Sequence, residues 1–232
     1  MTSNAARALA AALGKPLVGV HHMVRSPVFD FHSLSLTYLK QAHAVTVFLS
    51  LPEDELPKYP FLSLLISGGH TLLLLARSST AFSVLATTPD DSIGNAYDKV
   101  SRLLSLSWST LGPGAALEKF CADHPPPLSP APHDRINSYE RRLSFPLSSR
   151  GELMFSYSGL YSSVQRYVEA LPPEALTSER KAHIAWAFQR AAVGQLEEKL
   201  CLGLKWCSRH DIDIRHVVVS GGVASNAYVR ER

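Results

Sequence analysis

Two apolar runs, Phe61 to Ile66 and Leu72 to Ala76, flank the polar stretch Ser67-Gly68-Gly69-His70-Thr71. Apolar residues bounded by turn formers read as strands, and Gly-Gly is a favoured two-residue connection, so the pattern predicts a β-hairpin. A third strand is predicted over Phe82 to Thr87. Asp90-Asp91-Ser92 then offers N-caps for a helix in which Ile93, Tyr97, Val100 and Leu104 recur at helical spacing. Leu160, Val164, Val168 and Leu171 mark a second helix. Ile184, Phe188, Ala191, Leu196, Leu200 and Leu204 mark a longer one, separated from it by Pro172-Pro173. The β-branched run Val217 to Val219 predicts a strand that ends in another diglycine, Gly221-Gly222, and leads into the helix-like run Ala227 to Arg232.

Elsewhere the pattern is weaker. Ala5 to Leu13 reads as a short helix stopped at Gly14, and Pro16 to Val20 as a brief buried strand, so that His21-His22-Met23 follows a strand end. Asp54 to Pro60 has the composition of a linker. Cys121 to Pro132 holds five prolines and is expected to be irregular, because proline removes backbone donors and fixes φ.

Glycine carries no Cβ and tolerates φ > 0, so both diglycine corners suit a tight turn whose N–H groups approach an anionic ligand. A plain hairpin turn is the ordinary explanation for the first corner taken alone. The second, opening towards a helix, moves the balance to an anion site, since helix N-termini gather free donors.

The chain has 232 residues, 46% of them hydrophobic and 19% charged, enough for an ordinary globular core. A net charge of +3 is compatible with an RNA partner without requiring one. Cys121, Cys201 and Cys207 contain no C-x-x-C pair and are odd in number, which argues against a disulfide framework and a thiolate zinc site. No run reaches the roughly 18 apolar residues that a membrane helix needs. Membrane insertion is therefore not expected.

Five segments carry a resemblance. Gly19-Val20-His21-His22-Met23, Leu65-Ile66-Ser67-Gly68-Gly69-His70-Thr71, Ala96-Tyr97-Asp98-Lys99, Phe155-Ser156-Tyr157-Ser158-Gly159-Leu160 and Ser220-Gly221-Gly222-Val223-Ala224-Ser225-Asn226 together resemble the tRNA threonylcarbamoyladenosine transferase family. The resemblance implies an α/β chain with an actin-like ATPase (ASKHA) fold of two similar lobes. It implies transfer of a threonylcarbamoyl group from threonylcarbamoyl-adenylate to N6 of adenosine 37 in tRNAs that read codons beginning with adenine. The Ala-Ser-Asn ending looks most like a mitochondrial member, which implies a mitochondrial location. A homodimer is among the partners it allows.

Site residues follow from the same resemblance. Leu65, Ile66, Ser67, Gly68 and Gly69 would cradle the phosphate end of the substrate, and Asp98 would bond nucleotide hydroxyls. Gly114 would let backbone pass close to the ligand, although Gly112-Pro113-Gly114 matches the family's Pro-Gly-Gly turn only loosely. Asn226 would read the nucleotide. Each has an ordinary explanation: Asp98 as a helix carboxylate paired with Arg102 one turn on, Asn226 as an N-cap. The aromatics of Phe155 to Leu160 are expected to pack beside the site without taking part in chemistry.

The family's metal motif, His-Met-x-x-His, places two imidazoles one helical turn apart. Here His22-Met23 is separated from Gln41-Ala42-His43 by Val24 to Lys40, and removing those 17 residues restores the motif. An insertion is expected there, leaving His22 and His43 as ligands of a weakly held divalent cation, iron or zinc. Ser26-Pro27 would interrupt any continuous helix between them. The run Ala227 to Arg232 is about half of the roughly 12 to 15 residues at which an isolated helix becomes even marginal. The resemblance thus implies a chain incomplete at both ends, with residues 1–56 closing the first lobe and 57–232 forming most of the second.

Two classes of function follow. One is acyl transfer resting on a metal and on positioning, with no nucleophilic side chain. The other is an inactive fragment that keeps only an interaction surface. A metallopeptidase lacks His-Glu-x-x-His, and an actin-fold sugar or acetate kinase finds no support in the His-His-Met segment.

Overall fold

The computed structural model describes residues 53–108, 110, 112–124 and 151–232. The expected helix Ala5 to Leu13, the strand Pro16 to Val20, the His-His-Met segment, the insertion 24–40 and the prolines of 125–132 lie outside these residues.

Four strands form one mixed sheet: β1 (Phe61–Ile66), β2 (Thr71–Ala76), β3 (Phe82–Thr87) and β4 (Val217–Ser220), in the order β3-β2-β1-β4. β1 and β2 are the expected hairpin, antiparallel from Phe61↔Ala76 to Ile66↔Thr71. β3 joins β2 antiparallel, with an irregularity between Leu73 and Leu74. β4 lies parallel to β1, with Leu62 opposite Val217 and Leu65 opposite Ser220.

Every residue of β1 and β2 is buried, which explains why their sequence is apolar throughout and does not alternate. On one face Leu62, Leu64, Ile66, Leu73, Leu75 and Ala86 pack into a core with the helices. Burying a Leu or Ile side chain contributes about 1.5–3 kcal/mol, so this layer is the main source of cohesion. On the other face Phe61, Leu65, Leu72, Leu74 and Ala76 are buried as well.

Helices α1 (Ile93–Leu103), α2 (Pro113–Asp123), α3 (Ser158–Glu169), α4 (Ser178–Arg209) and α5 (Ala227–Glu231) complete the fold. Of the three caps offered to α1, Ser92 is the one used: its Oγ accepts from Asn95 N at 3.2 Å. α1 buries Ile93, Tyr97 and Val100 of the predicted stripe together with Ala96, and Leu104, the stripe's fourth member, is buried at the C-cap. The expectation of an irregular segment from Cys121 is corrected, because Cys121 to Asp123 form the last turn of α2. Leu117 and Cys121, one turn apart, are both buried and hold that turn against the core.

α4 runs for 32 residues from the N-cap Thr177 across the sheet. It approaches closely at Gly203, where a Cβ would fall 2.5 Å from Leu73 Cδ2. A short 3-10 turn, Gly222–Ser225, separates β4 from α5.

Candidate ligand-binding site

The tip of the β1–β2 hairpin closes with Ser67 N donating to His70 O at 2.8 Å. Left-handed glycine was expected there and is absent: neither Gly68 nor Gly69 has positive φ. The tip is shaped by Ser67, whose Oγ accepts from Gly69 N at 3.3 Å and from His70 N at 3.0 Å. Those two amides, expected to face a ligand unencumbered, are thus already engaged by a hydroxyl. A Cβ at Gly68 or Gly69 would meet nothing within 4 Å, so the outer surface of the tip is open.

The inner side rests on the N-terminus of α1. Ser92 Oγ donates to Gly68 O at 2.6 Å, and Ile93 N donates to Thr71 Oγ1 at 2.9 Å. Gly94 makes the approach sterically feasible, since a Cβ there would lie 2.6 Å from Ser67 O and 2.7 Å from Gly68 Cα.

The second corner stands beside the first. Gly221 has φ +99°, and a Cβ on it would fall 2.3 Å from Ile66 O. Two diglycine segments far apart in sequence therefore leave the same end of the sheet from neighbouring parallel strands. Strand ends of this kind are where α/β folds commonly seat ligands. Beyond the 3-10 turn, Asn226 is 5% exposed and caps α5, its Oδ1 accepting from Val229 N at 3.1 Å. The ordinary N-cap is therefore observed, and it leaves the side-chain NH2 outside that bond.

Asp98 lies one turn after Gly94 on α1. Its Oδ1 accepts from Gly114 N at 2.7 Å, so these two candidate residues meet at the start of α2. Among the described residues Asp98 forms no ion pair with Arg102, which disposes of the simpler explanation for this carboxylate. Glu118, which the sequence reading missed, joins them: its Oε1 accepts from Ala227 N at 2.7 Å and ties α2 to the start of α5. The available signal was its place one helical turn after Gly114, on the same face of α2.

Asp90 organises the neighbouring Phe155 to Leu160 segment. Its carboxylate accepts from Thr88 Oγ1 (2.7 Å), Ser156 Oγ (2.7 Å), Ser158 Oγ (2.6 Å) and Tyr157 N (3.1 Å). Partial burial pushes its pKa up, but the donors from Ser158, Ser156, Thr88 and Tyr157 outweigh that and hold it at about 2. Phe155 and Tyr157 are fully buried, as expected for packing residues. Burial, helped by the Glu118 charge, pushes the Cys121 thiol up to about 12, so it stays protonated at neutral pH and is no nucleophile.

The proposed metal ligands His22 and His43 lie outside the described residues. Among the described residues no group of three His, Cys, Asp or Glu side chains could hold a metal ion. No helix among them is long and apolar enough to cross a membrane.

The sequence profile of the tRNA N6-adenosine threonylcarbamoyltransferase family matches residues 39–232. The chain belongs to this family. It is 36% identical to the probable mitochondrial tRNA N6-adenosine threonylcarbamoyltransferase of Arabidopsis thaliana, over 98% of this chain and 42% of that protein. It is 33% identical to the mitochondrial tRNA N6-adenosine threonylcarbamoyltransferase of Schizosaccharomyces pombe, over 98% of this chain and 48% of the relative. It is 32% identical to the tRNA N6-adenosine threonylcarbamoyltransferase of Syntrophus aciditrophicus, over 98% and 55%. The chain thus spans about half the length of the curated relatives it matches. Within the threonylcarbamoyltransferase match fall Leu65 to Gly69, Asp98, Gly114, Asn226 and His43, whereas His22 precedes it. The expected α/β class is borne out by the mixed sheet and its helical layer.

Proposed function

We propose that this chain carries the nucleotide-binding part of a tRNA N6-adenosine threonylcarbamoyltransferase. Threonylcarbamoyl-adenylate is the donor, and N6 of adenosine 37 in tRNAs reading codons that begin with adenine is the acceptor. The observation that carries the reading is the contact of Gly221 with the Ile66 carbonyl, which sets two diglycine corners side by side at one end of the sheet.

In this reading the adenylate phosphate lies over the open face of Gly68 and Gly69, displacing Ser67 Oγ from the amides of Gly69 and His70. Asp98, already bonded to the start of α2, turns its remaining lone pairs to the ribose hydroxyls. The free NH2 of Asn226 addresses the nucleotide from the start of α5. The adenine N6 attacks the threonylcarbamoyl carbonyl carbon, the bond to the phosphate oxygen breaks, AMP leaves and N6 gives up a proton. These side chains bind and orient, and none acts as a nucleophile. A divalent metal, iron or zinc, held by His22 and His43 would polarise the carbonyl. The described unit is the second of two actin-like lobes in this reading, and residues 1–56 belong to the first. The mitochondrial names of two relatives support a mitochondrial location.

A second reading follows from the share of the relatives that the chain spans: nucleotide binding retained without transfer, the chain serving as an interaction partner or pairing with a second copy. Incubating the purified chain with tRNA and threonylcarbamoyl-adenylate, followed by nucleoside mass spectrometry, separates them. Modified adenosine 37 is expected. Unmodified tRNA together with measurable AMP binding favours the second reading, and loss of both overturns the first and second alike.

A further inference from the structure

We propose that Ser92 is a positioning residue for the phosphate-facing hairpin tip, a role beyond its service as the N-cap of α1. The inference rests on the nucleotide site proposed above. A serine hydroxyl has one proton to donate and two lone pairs to accept with. Ser92 Oγ accepts from Asn95 N at 3.2 Å and donates to Gly68 O at 2.6 Å. Its single donor is therefore committed to the tip, while its acceptor role is committed to the helix.

Holding that carbonyl matters because a peptide unit is planar. In a trans peptide the C=O and the following N–H point in opposite directions, so fixing Gly68 C=O fixes the direction of Gly69 N–H. Turned away from Ser92, this amide meets only Ser67 Oγ at 3.3 Å, longer than the usual 2.9–3.0 Å of such bonds. That weak partner is readily exchanged for an anionic oxygen.

Two consecutive glycines are the most flexible pair a chain can present. Neither adopts a left-handed conformation that would by itself define the turn, and a Cβ on either would meet nothing within 4 Å. The shape of the tip must come from its neighbours. Gly94 supplies the seat, and Ser92 supplies the one side-chain donor from α1. Ser92 is itself only 5% exposed, which shields the donor end of the bond from water.

The test compares S92G and S92A with the unaltered full chain. Glycine at an N-cap costs only a few tenths of a kcal/mol, so S92G removes the donor while sparing the helix. Affinity for AMP, the adenylate half of the proposed donor, is read by calorimetry, and melting temperature alongside it. The expected result is AMP binding weakened about tenfold in both variants, with S92G melting close to the unaltered chain. The Gly68 carbonyl carbon resonance should move in both, as it does when a C=O loses a donor. A role in capping alone predicts a lower melting temperature for S92A with unchanged AMP affinity and an unmoved Gly68 carbonyl signal, and that result overturns the proposal. If the unaltered chain fails to bind AMP, the nucleotide site falls and this inference with it.

Discussion

The carboxylate of Glu118 and the backbone N–H of Ala227 meet at 2.7 Å although 109 residues separate them in sequence. Helix α5 has five residues and cannot stand alone. It is held by this bond, by the Asn226 cap, by the edge-to-face contact of Trp186 with Tyr228 at 5.6 Å and by Arg232 on Glu197. The position of Asn226 in the candidate site is therefore a product of tertiary anchoring.

Removing that anchor has a defined consequence. Glu118→Ala is expected to cost about 1 kcal/mol of stability in denaturant unfolding, the value of one hydrogen bond at a helix end. Trp186 fluorescence should change as Tyr228 loosens. Unaltered emission and an unaltered unfolding midpoint would show that Glu118 does not hold α5.

Gly94→Ala tests the seat of the hairpin tip. Alanine is the better helix former by up to about 1 kcal/mol, yet its Cβ would press on Ser67 and Gly68 backbone at under 3 Å, and overpacking of this kind costs about 1–3 kcal/mol. Net destabilisation with loss of AMP binding is the expected outcome. Gly68→Ala makes the contrast: its Cβ enters open space, so stability should hold while AMP binding falls.

Asp90 sets an acid limit. Its folded pKa of about 2 lies below the usual carboxylate value, so its contribution is complete above pH 4 and is lost as pH falls towards 2. Asp90→Asn should lower the melting temperature at pH 7 and flatten the decline between pH 4 and 2. Parallel pH profiles for the two proteins would refute the assignment.

Thiol chemistry should discriminate among the three cysteines. Cys201 is exposed, whereas Cys121 and Cys207 are buried with their thiols pushed up, Cys121 to about 12. Titration with a chromogenic disulfide at pH 8 should show one fast thiol, and Cys201→Ser should abolish it.

Much of this architecture was legible in the chain. β1 and β2 stand out because both faces are buried and the residues are apolar without a break, and α1, α3 and α4 because their stripes keep helical spacing. Helix α2 was missed. It buries only Leu117 and Cys121, begins at Gly112-Pro113-Gly114, which reads as a turn, and stops just before a proline cluster that colours the whole segment as loop. The tip of the hairpin was located but misjudged, since Ser67 shapes it where glycine φ was expected to. The adjacency of Gly221 and Ile66 depends on parallel pairing between distant strands, which no local pattern records. The clamp of Asp90 on Ser156 and Ser158 is equally non-local, although each of its parts sits in a recognisable motif.

The place of β1 between an immediate neighbour in sequence and a remote one sets an order of assembly. The hairpin with β2 closes over the four residues Ser67 to His70 and forms early, because short loops cost little entropy. β4 can dock on the opposite edge of β1 only after α1 to α4, which lie between the two strands in sequence, have been synthesised. The second glycine corner thus arrives well after the first, and a chain caught before that step holds half of the candidate site. A nucleotide that needs both corners would recognise only molecules that have finished folding.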